Sequence, residues 1–260
     1  MKSKRAFLLF FGIGILILSI VTICYIRFYG PSETKTFSEQ GQEVSPYLAD
    51  DLYRLLYDDR DYGSILAPYY QYDEVLPTTL TNRDINRLLI VQLSRMLGEN
   101  PSTTTYTEEE IVQLKNQIFG VDTPFEIETT DTLTCQQFYR NAAGLYEVEW
   151  ECGMDMTSPS YYPEIVEARQ VGDVITLKQA VLFADLDSSL DEGFILSLYQ
   201  DYDRTRLLGQ ISYTDTDDYF NRFLDVDVRS YESASQYQFL FQKNEDGTYR
   251  FLKFERNFLK

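Results

Sequence analysis

The chain has 260 residues, with 23 Lys and Arg against 41 Asp and Glu, and a net charge of −18 at pH 7. A field of that sign repels nucleic acid and anionic lipid headgroups, which excludes nucleic acid as a partner. Histidine is absent, so Ser-His-Asp and Cys-His nucleophilic sites, His-ligated zinc and imidazole general bases are excluded with it.

Lys2, Lys4 and Arg5 open the chain, and a charge-free apolar run from Ala6 to Ile26 follows, closed by Arg27. About 21 residues at ~1.5 Å rise span roughly 31 Å, the thickness of a bilayer's hydrocarbon core. The exit Ile23-Cys24-Tyr25-Ile26-Arg27-Phe28 offers bulky residues where a signal peptidase needs small ones. Cys24 follows Ile23 rather than a small residue, so the pattern is not that of a lipoprotein signal. The expectation is a cytoplasmic start at 1–5 and an uncleaved transmembrane signal anchor at 6–26, with everything after it outside the cell. Removing the four positive charges of residues 1–30 leaves −22 on that external part. Residues 27–45, rich in Ser, Thr, Glu and Gly, read as a flexible stalk, and 46–260 as one extracytoplasmic domain.

Three helix starts follow. Ser45 can cap a helix opened by Pro46, carrying Leu48, Leu52, Leu55 and Leu56 on one face, with Gly63 past its end. Thr81 with Asp84 resembles a capping box and introduces Ile85, Leu88, Leu89, Leu93, Met96 and Leu97, stopped by Gly98. Thr107 with Glu110 is a capping box ahead of Ile111, Leu114 and Ile118, stopped by Gly120. After Gly120 the period falls to two, predicting strands over 125–130, 133–140, 145–152, 164–170, 174–184, 194–200, 206–213, 237–243 and 248–256. Val171-Gly172-Asp173 and Asn244–Gly247 mark turns. Phe239, Phe241 and Phe251 fall on one face of the last hairpin, and Leu240, Leu252 and Phe254 on the other. A sheet apolar on both faces needs cover on both. The fold class is therefore α+β: three amphipathic helices packed on a curved antiparallel sheet.

Cys135 and Cys152 are the two cysteines beyond the apolar run. A turn at Ala142–Leu145, with partners summing to 287, sets Cys135 opposite Cys152 and Tyr139 opposite Val148, predicting a disulfide across a hairpin.

Acidic clusters stand at Asp58, Asp59 and Asp61, at Asp185, Asp187 and Asp191, and at Asp215, Asp217 and Asp218. The second begins like a calcium loop, but Leu190 and Leu196 replace the required Gly and Glu, so it reads as a solvated loop. Glu147, Glu149 and Glu151 read as a solvent-facing row. The 21 tyrosines, with doublets Tyr69-Tyr70 and Tyr161-Tyr162, are expected mostly half-buried at sheet edges and helix seams. No pattern asks for a cofactor or a metal ion.

In its basic start, single span, polar stalk and acidic domain, the chain resembles single-pass envelope proteins of Gram-positive bacteria. The pattern Tyr237–Phe241, Asn244–Gly247, Thr248–Phe254 resembles the closing hairpin of cystatin-like and nuclear-transport-factor-like curved sheets. That resemblance implies a cone-shaped sheet with a pocket, serving binding more often than catalysis. The expected function is a non-catalytic binding or assembly module of the envelope, with a protein or glycan partner outside the cell. The competing reading is a carboxylate-dependent hydrolase of wall polymer, which needs two facing acids. Protease added to protoplasts is expected to remove the large domain; its protection, or a mature N-terminus near Tyr29, overturns the topology.

Overall fold

A computed structural model describes residues 41–57, 65–96, 105–131, 137–148, 160–189, 193–222 and 225–257. The segment expected to span the membrane, both predicted cysteines, and Asp58, Asp59, Asp61, Glu149, Glu151 and Asp191 lie outside these residues. Among the described residues no helix is long and apolar enough to cross a membrane.

The fold is α+β, and its centre is one long strand. Strands β7 (Tyr161–Val171) and β8 (Val174–Ser189) form a hairpin turned by Gly172, whose φ of 60° suits glycine. On the other side of β8, residues 174–181 pair with β11 (Ser235–Lys243) and residues 183–189 with β9 (Gly193–Tyr199). The two partners meet where Ser235 Oγ donates to the Gln200 carbonyl at 2.6 Å. Outward from β11 lies β12 (Tyr249–Asn257), then the two-residue β2 (Glu74–Val75). Outward from β9 lies β10 (Leu207–Tyr213), and the two-residue β1 (Gln42–Glu43) borders β7. The last six predicted strands are all present, and β7 and β8 run past their predicted ends.

Both faces of β8 are apolar, and both are covered. Ile175, Leu177, Val181 and Phe183 join the larger core with the helices and with Phe239, Phe241, Phe251 and Phe254. Ala180, Leu182 and Ala184 join a second core with Leu196, Leu198, Tyr213, Tyr219 and Val228. One face assignment changes. Phe239 pairs with Phe254 but Phe241 with Phe251, so an irregularity at Leu252 turns Phe254 to the same side as Phe251.

Helices α1 (Pro46–Tyr53), α2 (Asn82–Met96) and α3 (Glu108–Phe119) start where their caps predict. Ser45 Oγ accepts from Leu48 N at 3.3 Å, and α1 ends at Tyr53, its chain tightening through Leu52–Leu55 and Tyr53–Leu56 bonds. In α3 the box closes both ways: Glu110 N donates to Thr107 Oγ1 at 3.2 Å, and Thr107 N donates to Glu110 Oε2 at 2.7 Å. In α2 the shorter Asp84 is bridged instead. Thr81 N donates to the Tyr69 hydroxyl at 2.9 Å, and that hydroxyl donates to Asp84 Oδ2 at 2.5 Å. Met96, placed on the apolar stripe, is 73% exposed, whereas Ile90 and Val91 are buried. The buried Lys115 closes α3, donating to the Gly120 and Thr123 carbonyls at 3.1 and 3.0 Å.

A fourth helix, α4 (Thr216–Arg222), rises from the third acidic cluster. Asp215 Oδ1 accepts from Asp218 N at 2.8 Å, so this acid is a helix cap. A second, four-stranded sheet joins β3 (Thr105–Tyr106), β6 (Tyr146–Glu147), β5 (Phe138–Arg140) and β4 (Thr129–Thr130), with β4 and β5 parallel rather than antiparallel. Tyr139 pairs with Glu147 and Arg140 with Tyr146, a sum of 286 instead of 287. Asn141 sets that count: its N–H reaches the Leu145 carbonyl, its Oδ1 accepts from Ala143 and Leu145, and Gly144 takes a φ of 82°. The slip replaces Tyr139 by Phe138 on the buried face with Tyr146 and Val148, so the expected pairing of Tyr139 with Val148 does not hold.

Gly193 has a φ of 89°, and a Cβ there would lie 2.2 Å from the Tyr213 carbonyl oxygen. Gly193→Ala is expected to cost about 3 kcal/mol or more through strain and overpacking. Gly172→Ala, with open space around it, is expected to cost only about 1 kcal/mol. Paired thermal or denaturant unfolding of the two variants checks the contrast.

Candidate ligand groove

A cavity of about 740 Å³ lies between α1, the outer edge of β7 and residues 226–229. Spacing on α1 explains one wall. Leu52 and Leu56 face the core, which leaves Pro46, Ala49, Tyr53 and Tyr57 along the flank that lines the groove. Tyr53 and Tyr57 stack with ring centroids 5.1 Å apart, and Tyr53 meets Phe239 edge-on at 5.5 Å.

The opposite wall is a sheet edge. The Tyr161-Tyr162 doublet is divided by strand alternation, Tyr161 entering the larger core and Tyr162 the second. Beyond it lie Pro163, which has no N–H for a further strand, and a bulge at Val166 that lifts this side chain to 37% exposure. The Ile165 carbonyl is taken by Arg229 Nη2 at 3.1 Å, and the Ala168 carbonyl by Val44 N at 3.1 Å. The lining thus mixes apolar and aromatic side chains with the charged Glu43, Asp50, Arg54, Glu164, Glu167 and Arg229.

Each of three rim carboxylates has a cation beside it. Asp50 meets Arg54 at 2.8 Å, Glu164 meets Arg229, and Glu167 meets Arg169 and, at 3.8 Å, Lys178. Glu43, the fourth, is exposed on β1. No Asp or Glu is buried among the described residues. Chemically the groove suits an elongated ligand with apolar or aromatic groups and a few polar ones.

Deeper in, the polar atoms belong to tyrosines. The Tyr70 hydroxyl donates to Gln179 Oε1 at 2.8 Å, and the Tyr237 hydroxyl donates to the Tyr70 carbonyl at 3.0 Å, all within the buried core. Tyr70 is ringed by Tyr161, Phe183, Tyr237 and Phe254 at centroid distances of 4.8 to 5.8 Å. The described tyrosines divide evenly: Tyr53, Tyr69, Tyr70, Tyr146, Tyr161, Tyr162, Tyr213, Tyr219 and Tyr237 are buried, and as many are half-buried or exposed.

The remaining sequence candidates do not converge. Asp185 and Asp187 lie within β8 rather than in a loop, and Asp185 pairs with Arg204 at 2.5 Å. Glu147 accepts from Asn141 Nδ2 at 2.6 Å. No cluster of three metal-ligating side chains occurs among the described residues. Arg54 and Arg229, which frame the groove, carried no sequence signal, and the spacing of Tyr53 and Tyr57 four residues apart is the pattern that could have pointed to its aromatic wall. No protein-family model and no curated protein matches the chain.

Burial pushes the phenols up. Tyr69, also a donor to Asp84, and Tyr237 are raised from 10.0 to about 12, and Tyr70 and Tyr161 well above their ordinary value. A raised phenol pKa contributes stability that is complete below pH 10 and lost as pH climbs through the folded values. Tyrosinate absorbance is expected to rise in two phases, the second between about pH 10 and 12 and coincident with loss of secondary structure. A single reversible phase for all 21 tyrosines with the fold intact would contradict this.

Proposed function

We propose that this chain is a membrane-anchored, extracytoplasmic, non-catalytic binding or assembly module of a bacterial cell envelope, with the groove between α1 and β7 as its ligand site. The observation that carries the reading is the groove itself: about 740 Å³ lined by tyrosines, aliphatic side chains and ion-paired charges, with no buried carboxylate along it. The basic start and the apolar run at 6–26 support the anchor, and the net charge supports a surface that stays soluble outside a cell. Cys135 and Cys152 would share an oxidising compartment, and their pairing rests on the even count alone. The wall-hydrolase reading needs two facing carboxylates at least one of which is raised in pKa, and the rim acids here sit with cations or in solvent.

Val166→Arg places a long cation across the groove from an exposed position. A protein or glycan chain cross-linked to the wild-type full-length chain in native membranes is expected to be lost from this variant, while its unfolding temperature stays the same. Cleavage of wall polymer by the purified chain that disappears in Glu164→Gln would replace the binding reading with the hydrolase.

A further inference from the structure

The sheet's edges are not treated alike. On the β7 side the edge is blunted by Pro163, the Val166 bulge, Arg229 and the short β1. On the β12 side, β2 takes Phe254 and Glu255, and α3 packs along the strand. Strand β10 has none of this. It pairs only with β9 among the described elements, and its sequence Leu-Leu-Gly-Gln-Ile-Ser-Tyr contains no charge and no proline. One irregularity at Leu208 leaves Gly209–Tyr213 in regular register.

The free side of this strand can be located. Gln200 N donates to the Arg206 carbonyl at 3.0 Å, so alternation points the even residues of β9 at β10. Their partners are Gly209, Ile211 and Tyr213, which turns the backbone N–H and C=O of Gln210 and Ser212 away from β9. No described hydrogen bond uses those groups. Tyr231, whose hydroxyl lies 3.1 Å from where a Gly209 Cβ would be, covers a face of the strand and not this edge. Leu207, at the strand's start, is 50% exposed.

The ends of β10 carry opposite charge. Arg206 precedes it, and Asp215, Asp217 and Asp218 follow it. We propose that two copies of this chain pair through β10, antiparallel and about a two-fold axis at Gln210, extending the large sheet across the dimer. That register sets Gly209 opposite Ile211 of the partner subunit, and beyond the irregularity at Leu208 it brings Arg206 toward the partner's Asp215. The contact joins neutral backbone edges in a chain whose net charge of −18 would otherwise hold copies apart, and the two Arg–Asp ends orient it. The groove between α1 and β7 borders another edge, so the dimer leaves both ligand sites open.

The side chains of Gln210 meet on one face at the axis, which makes this residue the probe. It is exposed, so substitution leaves the cores untouched. The full-length chain, solubilised in detergent, is expected to sediment as a dimer. Gln210→Lys and Gln210→Glu are each expected to weaken the dimer by about tenfold through like charges brought face to face. An equimolar mixture of the two variants should restore it as a heterodimer, which a misfolded variant could not do. A monomeric wild type, a dimer indifferent to both charges, or failure of the mixture to recover would each overturn the proposal.

Discussion

Strand β8 is buried on both faces, and most of the architecture follows from that. Sixteen residues long, it exceeds what one partner strand on each side can cover, so β11 and β9 share one edge end to end. Its odd residues require a layer on one side, which the three capped helices and the aromatic residues of β11 and β12 supply. Its even residues require another, supplied where the β9–β10 hairpin, Val228 and Tyr219 of α4 close over Leu182 and Ala184. Two cores on opposite faces of one strand are the cheapest way to remove both apolar stripes from water.

Within the larger core the sequence spends an amide where an aliphatic residue would pack. Gln179 is fully buried on the same face as Leu177 and Val181, and its Oε1 is held by Tyr70 while its Nε2 has no partner among the described residues. An unsatisfied buried donor costs about 1–3 kcal/mol, so the amide is not there for stability. It fixes position. The Tyr70 hydroxyl ties the 67–71 turn to Gln179 of β8, and the Tyr237 hydroxyl of β11 holds the same turn by its carbonyl. The turn in turn sets Tyr69, which bridges the start of α2. A chain of tyrosine hydroxyls thus carries the register of the sheet into the helical layer.

Local chemistry was legible in the sequence and long-range geometry was not. The caps at Ser45, Thr81 and Thr107 acted over three residues and told where helices begin, and period-two patterning found the long strands. The errors share a cause. A single added residue at Leu252 reversed the expected side of Phe254, and Asn141 closed its turn one step from the expected register; both events are decided by turn and bulge geometry rather than by hydrophobic pattern. The groove was invisible because its walls, Tyr53 and Tyr161, are far apart along the chain and meet only after β7 has joined the sheet.

The excess of acid reads differently once the side chains are placed. The carboxylate of Glu110 is lowered in pKa by the Thr107 N–H, Asp218 by the Thr214 N–H, and Asp246 by the Thr248 hydroxyl. Asp201 is pushed up by burial but, on balance, down by Thr205 and Arg206, whose N–H groups it holds at 2.9 and 3.0 Å. Each of these groups ends a helix or a loop by accepting backbone donors that would otherwise go unpaired. A lowered carboxylate pKa contributes stability that is present above the ordinary carboxylate range and disappears as pH falls through the folded value, so these acids stabilise the fold only while ionised. Catalysis by a carboxylate pair asks for the reverse, one acid kept protonated near neutrality by an apolar pocket. Among the described residues the acids whose pKa is displaced are displaced the other way, each by hydrogen bonds it accepts at a cap or turn.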